Sequence, residues 1–171
     1  MRKFALLVGV FTTLSAAIAL PGGAATPASF TLTAGTLSIS APTGSVSLGS
    51  QVVSSSGNTI SGQLGTVTVT DQRGGATAWV ASVIVTAFTP TTGPAVTAIP
   101  ATQVSYSAGT VTQLGVTTAL PATTDLTGVS PVVNGTSTGL STASWNPTIS
   151  ILLPANAAPG VYSATITHSV A

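Results

Sequence analysis

The chain has no cysteine, so no disulfide braces it, and its stability has to come from packing and backbone hydrogen bonds. Charge is almost as scarce: of 171 residues, three are Lys or Arg, two are Asp or Glu, and one is His. That scarcity removes whole classes of function. There is no basic patch to hold a nucleic acid and no acidic surface to gather cations. One His without Cys cannot build a zinc site, and two scattered carboxylates, Asp71 and Asp125, make a poor calcium site. A glycosidase would need a carboxylate pair across the scissile bond, and these two sit in different predicted loops. No nucleophile-elbow pattern is present. No catalytic residue, metal or cofactor is therefore expected, and an extracellular enzyme is the least favoured reading. Helical stripes and heptads are missing beyond the N-terminal segment.

What is present begins with an export signature. Arg2 and Lys3 precede an apolar run from Phe4 to Leu20, Pro21-Gly22-Gly23 ends it, and Gly23-Ala24-Ala25 offers the small residues a signal peptidase reads. The expected cut follows Ala25, with a neighbouring alanine as the alternative, which makes residues 1–25 a signal peptide. The apolar run is at the short limit for spanning a bilayer. No second long run follows, so no transmembrane helix is expected after cleavage. Cleavage removes Arg2 and Lys3. The remaining 146 residues keep Arg73 against Asp71 and Asp125, a side-chain charge of −1. A chain this neutral favours self-association or adsorption over dispersal.

Residues 26–171 suffice for one domain with a core. They are rich in Thr, Val, Ser, Ala and Gly, and branched Thr and Val suit a pleated surface. The organising stretch is Leu64 to Thr89. Val67 and Val69 alternate with Thr66, Thr68 and Thr70. Asp71-Gln72-Arg73-Gly74-Gly75 has turn composition. Trp79 to Phe88 follows as a strand apolar on both faces, which predicts cover on both. The pattern predicts a hairpin, and a lone hairpin is marginal in water, so other strands must join it. Candidates are Phe30–Thr33, Leu37–Ser40, Ser45–Gly49, Gln103–Ser107, Val111–Leu114, Val116–Leu120, Thr148–Leu153 and Val161–Val170. Residues 121–142, dominated by Gly, Pro, Asn, Ser and Thr, are expected to form a long surface excursion. Short helical turns fit near Ala155–Ala158. The expected fold is all-β, a single antiparallel β-sandwich over residues 26–171.

Two segments carry a resemblance. Leu64-Gly65-Thr66-Val67-Thr68-Val69-Thr70-Asp71-Gln72-Arg73-Gly74 followed by Trp79 resembles the first half of a WxL domain. Trp145-Asn146-Pro147 through Tyr162-Ser163-Ala164-Thr165-Ile166-Thr167-His168-Ser169-Val170 resembles the second half. The two Trp-x-Leu signatures stand here as Trp79-Val80-Ala81 and His168-Ser169-Val170, a divergent form. The resemblance implies a secreted β-rich module of the Gram-positive type, held to the cell wall through peptidoglycan without a covalent link.

Five side chains are candidates for contact with a wall glycan or partner. Trp79 and Trp145 could offer ring faces to sugars; Trp79, starting an apolar strand, also suits the core, whereas Trp145 before Asn146-Pro147 suits exposure. Asp71 and Arg73 could grip a polar ligand bidentately or instead cap and pair within their own turn. His168 is a half-buried sheet histidine in the bland reading. The leading expectation is a secreted, cell-wall-associated, non-catalytic module that binds peptidoglycan, another wall polymer or a surface protein. The alternative is a self-assembling structural subunit that pairs strand edges. Export predicts that the chain recovered outside the cell starts at Thr26. N-terminal sequencing reads this directly, and a chain still starting at Met1 would contradict it.

Overall fold

The computed structural model describes residues 26–94, 97–120 and 126–171. The expected signal peptide, Asp125 and residues 121–125 of the expected excursion lie outside the described residues. The chain divides between Leu32 and Thr33. Residues 26–32 carry no regular secondary structure, so the strand expected at Phe30–Thr33 does not form. From Thr33 to Ala171 the described residues form antiparallel sheets, with one 3-10 turn at Ala101–Gln103.

The strands are β1 (Leu37–Ser40), β2 (Asn58–Gln63), β3 (Val67–Asp71), β4 (Thr77–Val85), β5 (Thr89–Thr92), β6 (Val104–Ser107), β7 (Val111–Ala119), β8 (Ser130–Trp145), β9 (Thr148–Leu153), β10 (Val161–Ser163) and β11 (Ile166–Val170). Their registers show that most of these are pieces of longer ribbons. Val67–Asp71 pairs Trp145–Ser141, and Thr77–Val83 pairs Ser137–Ser130. Both therefore run antiparallel along one edge of β8, while β7 occupies the other edge. The expected hairpin is not a hairpin. Asp71 to Thr77 is a break within one ribbon whose two halves keep the same direction. Turn residues can as readily make such a bulge as reverse the chain.

The same continuity extends in both directions. β2 pairs β9 in a register that leads into the β3–β8 ladder with a shift of one residue. β6 pairs β9 and continues as β7 along β8. Three rows thus cross from one layer to the other at one corner, made by Leu64–Thr66, Ala108–Thr110 and Asn146-Pro147. Sheet-switching strands of this kind turn corners through bends or bulges. Gly65 (φ +94°) and Gly109 (φ +68°) supply backbone that other residues adopt only with strain. Polar groups close the bend: Leu64 N–H donates to Pro147 O (2.9 Å), Gly65 N–H to Asn146 Oδ1 (3.1 Å), and Asn146 Nδ2 to Gln63 Oε1 (3.1 Å). A fourth row is composite. β1 pairs β3, β11 pairs β4 and β10 pairs β5.

One layer comprises β1, β3, β4, β7, β8 and β11; the other comprises β2, β6 and β9. Between them lies a shared core that includes Val67, Val69, Trp79, Ala81, Val83, Ile149 and Ile151. The all-β, antiparallel sandwich expected from alternation is the fold. Ser130–Thr142, expected as part of the excursion, belongs instead to β8, the longest strand and the centre of its sheet. Its inward positions are Val133, Gly135, Ser137, Gly139, Ser141, Ala143 and Trp145, so the alternation is written in small residues. Gly135 lies beneath Trp79, and a Cβ there would overlap the indole. The strand Trp79–Val85 is buried on one face only, since Val80 on the other is 38% exposed. Phe88 is buried because the break at Thr86–Ala87 shifts the strand's phase before β5. Ser45–Gly49 forms no strand, and Ala155–Ala158 turns without a helix.

Gly135→Ala should therefore destabilise the fold by roughly 2 kcal/mol through overpacking. Gly128→Ala, where an added methyl meets nothing within 4 Å, should leave stability unchanged. Chemical denaturation of the two variants compares them, and equal midpoints would contradict the packing.

Candidate interaction site

Asp71 ends β3, at the point where the ribbon leaves β8. Its side chain is fully buried. A buried carboxylate has to be neutralised and hydrogen-bonded where it stands. Oδ1 accepts from the Arg73 backbone N–H (3.0 Å) and Arg73 Nε (2.9 Å). Oδ2 accepts from Arg73 Nη2 (3.0 Å), Thr77 Oγ1 (2.9 Å) and Ser137 Oγ (3.0 Å). The bidentate grip anticipated for Asp71 and Arg73 is thus on each other. Arg73 Nη2 also reaches Ala78 O (3.1 Å), which ties the break to the start of β4. The Arg73 guanidinium, with the added hydroxyl and backbone donors, outweighs burial and holds the Asp71 carboxyl far below the usual carboxylate range. Asp71 in turn raises the pKa of Arg73.

The network continues inward. Ser137 has one hydroxyl proton and gives it to Asp71, so it accepts from Trp79 Nε1 (3.2 Å) and from Ser141 Oγ (2.8 Å). Trp79 is 2% exposed. Its indole spans the core between Gly135 and this polar cluster, with its N–H satisfied. Ser137 and Ser141 were missed in the sequence. Only their period-2 position on β8 would flag them, and the composition of residues 121–142 predicts a surface excursion there instead.

Trp145 is also 2% exposed, against the expectation of exposure. The reason is a distant partner: Trp145 Nε1 donates to Tyr106 Oη (2.9 Å) on β6, so the N–H needs no water. Tyr106 Oη lies 3.1 Å from His168 Nε2 on β11. The hydroxyl, having accepted from Trp145, is shared with His168, and which of the two donates depends on the histidine tautomer. Burial lowers the His168 pKa and pushes Tyr106 up to about 12. Neither indole presents a ring face to a sugar. The five candidate residues therefore fall into two internal clusters, Asp71–Arg73–Trp79 and Trp145–His168, each pinning strands together.

The surface these clusters support is neutral. Among the described residues, Asp71 and Arg73 are the only Asp, Glu, Lys or Arg, and they are paired. Many outward positions of the larger layer carry hydroxyls in register, with exposed Leu114 of β7 beside Thr142. Ser40, Thr68, Ser144 and Thr112 lie side by side across β1, β3, β8 and β7, and Ser38, Thr70 and Thr142 form the next row. Thr68 Oγ1 and Ser144 Oγ are hydrogen-bonded at 2.9 Å. Thr136 and Thr117 extend the pattern along β8 and β7.

Both clusters carry a pH signature. Asp71 titrates below its unfolded value of 3.8, so its contribution is complete above that pH and is lost as pH falls further. His168 titrates below 6.5, so protonation costs stability as pH drops beneath 6.5. Asp71→Asn should cost about 2–3 kcal/mol at neutral pH and flatten the lower limb of a stability-versus-pH curve. His168→Gln should flatten the upper limb. Urea midpoints from pH 8 to pH 2 measure both, and an unchanged acid limb in Asp71→Asn would contradict the assignment. No family model matches the chain, and no curated protein or solved structure shows significant similarity to it.

Proposed function

We propose that this chain is an exported, non-catalytic module of the cell surface whose outer sheet face holds a neutral wall polymer of the peptidoglycan glycan type. The carrying observation is the hydroxyl lattice on β1, β3, β8 and β7. Neighbouring strands stand about 4.8 Å apart and same-face residues about 6.8 Å apart. The rows Ser40–Thr68–Ser144–Thr112 and Ser38–Thr70–Thr142 therefore offer a two-dimensional array of groups that both donate and accept. Sugar hydroxyls have the same dual capacity.

Several features support the reading. Asp71 is buried and the partly exposed Arg73 is paired with it, so among the described residues the face carries no unpaired charge. Asp71 already accepts five hydrogen bonds and His168 Nε2 is already hydrogen-bonded to Tyr106 Oη, so neither is poised for acid–base work. The export signature and the WxL resemblance favour a wall location. A protein partner would look for aromatic or arginine anchors, and the face presents none.

Co-sedimentation with purified peptidoglycan tests this. The chain should pellet with the polymer, and the bound fraction should change little between low and moderate salt, because no exposed ion pairs are being screened. Thr136→Glu with Thr142→Glu, both exposed, should abolish pelleting while leaving the fold intact. Recovery of the unaltered chain in the supernatant would overturn the proposal, as would a steep salt dependence.

A further inference from the structure

The sandwich has a gap in its wall. A cleft of about 890 Å³ opens between the β1–β2 connection and the C-terminal ribbon, floored by Ile60, Phe88, Ile99, Ile151 and Leu153. No charged side chain lines it. Two features identify what fits. Consecutive residues Val161 to Ile166 all line the cleft, whereas a strand that offered only its face would contribute alternate residues. An edge of the β10–β11 ribbon therefore borders it, and among the described residues β10 bonds only to β5 and β11 only to β4. On the other side the strap, residues 41–54, makes no backbone–backbone hydrogen bond between Pro42 and Val53 among the described residues. Open backbone donors and acceptors beside an apolar floor call for an extended peptide with alternating apolar side chains.

The chain carries such a peptide. Ala28, Phe30 and Leu32 alternate with Ser29, Thr31 and Thr33, and Phe30 and Leu32 are each 91% exposed. Two large side chains bared on an unstructured arm are a liability unless something receives them. The arm leads into β1 at its start, beside Gly35, whose N–H bonds Gln72 O. The cleft lies past the end of β1, at Ala41 and beyond. Phe30 and Leu32 are exposed in the single chain, which leaves a second copy to receive them.

We propose that residues 28–33 of one copy insert as a strand along Val161–His168 in the cleft of a second copy. Phe30 and Leu32 point at the apolar floor, and Thr31 and Thr33 face outward. Donor and acceptor lie on different parts of the chain, so the contact is head-to-tail and propagates into open assemblies, or closes into a ring where the rotation permits. With no charge at either site, copies approach without repulsion. The hydroxyl face is not used, so this inference stands whether or not the polymer reading holds.

The test uses the full chain, purified as the cell releases it, and two variants. Phe30→Ser/Leu32→Ser removes the donor and should not disturb folding, since both residues are exposed. Val161→Asp places a charge on the acceptor edge; its circular dichroism and unfolding midpoint check that it folds. By sedimentation velocity the unaltered chain should form species that grow with concentration. Each variant alone should sediment as a monomer, and an equimolar mixture should give one-to-one dimers and nothing larger. A synthetic peptide of residues 27–34 should bind the donor variant at one per chain and slow hydrogen exchange at Val161–His168. A monomeric unaltered chain at all concentrations would overturn the proposal. So would assembly undiminished in the donor variant, which would place the contact at another edge such as β7. A Phe30→Cys/Val161→Cys disulfide formed within single chains would overturn it as well.

Discussion

The structure depends on one ladder, in which Asn58 to Val83 pairs with Leu153 to Ser130 across a corner. A chain with few large apolar residues and no disulfide cannot rely on a thick core. It relies on keeping backbone groups paired over long distances and folding the resulting ribbon onto itself. β6 and β7 are added on one side of that pair and β1 and β11 on the other, while β10 pairs with β5, which follows the ladder. Because the rows bend together, the two layers are halves of one folded sheet, and the side chains at the bend matter as much as those in the core. Asn146, with hydrogen bonds to Gly65 and Gln63, does there what a turn residue does in a hairpin.

A long ribbon must also absorb the twist mismatch between its partners. Between Asp71 and Thr77 the ribbon carries five residues where β8 carries three, Thr138 to Leu140. Such a break exposes backbone groups and would fray without a local anchor. Asp71 supplies it, collecting the turn through Arg73, the resuming strand through Thr77 and the central strand through Ser137. A buried ion pair is weak support for overall stability; its value here is in fixing register. Slipping β4 by one residue against β8 would carry Thr77 and Ser137 away from the carboxylate and turn Trp79 outward. The only described charges sit where register is most easily lost.

Much of this was legible in alternation. Thr148–Leu153 and Val161–Val170 have the faces their patterns assigned, with Ile149 and Ile151 buried and Ser163 and Thr165 exposed. The local pairing of Asp71 with Arg73 was visible from a spacing of two in a turn. What could not be read depends on distant partners. Gly135 looks like a loop residue until Trp79, 56 positions earlier, is placed over it. Trp145 looks exposed until Tyr106 arrives to accept its N–H. Asp-Gln-Arg-Gly-Gly has the same composition whether the chain reverses or bulges, and only the register on β8 distinguishes the two. Hydrophobic period is a signal of how much a side chain buries, so a strand whose partner supplies the bulk, as Trp79 does for β8, loses that signal.

The proposed polymer face and the proposed cleft contact would make different physical demands, and their combination would let each be weak. Neutral hydroxyl contacts replace water hydrogen bonds nearly one for one, so each contributes little net affinity. One sheet face of this kind holds a polymer weakly. Chains joined head-to-tail would present the same face repeatedly along a polymer that is itself periodic, and each bound unit raises the effective concentration of the next. Retention then comes from number rather than from any single strong contact. Charge would hinder both steps, by repelling neighbouring copies and by making attachment depend on the ionic strength outside the cell. A surface whose described charges are paired with each other and whose hydroxyls face outward is consistent with that arrangement from residue to assembly.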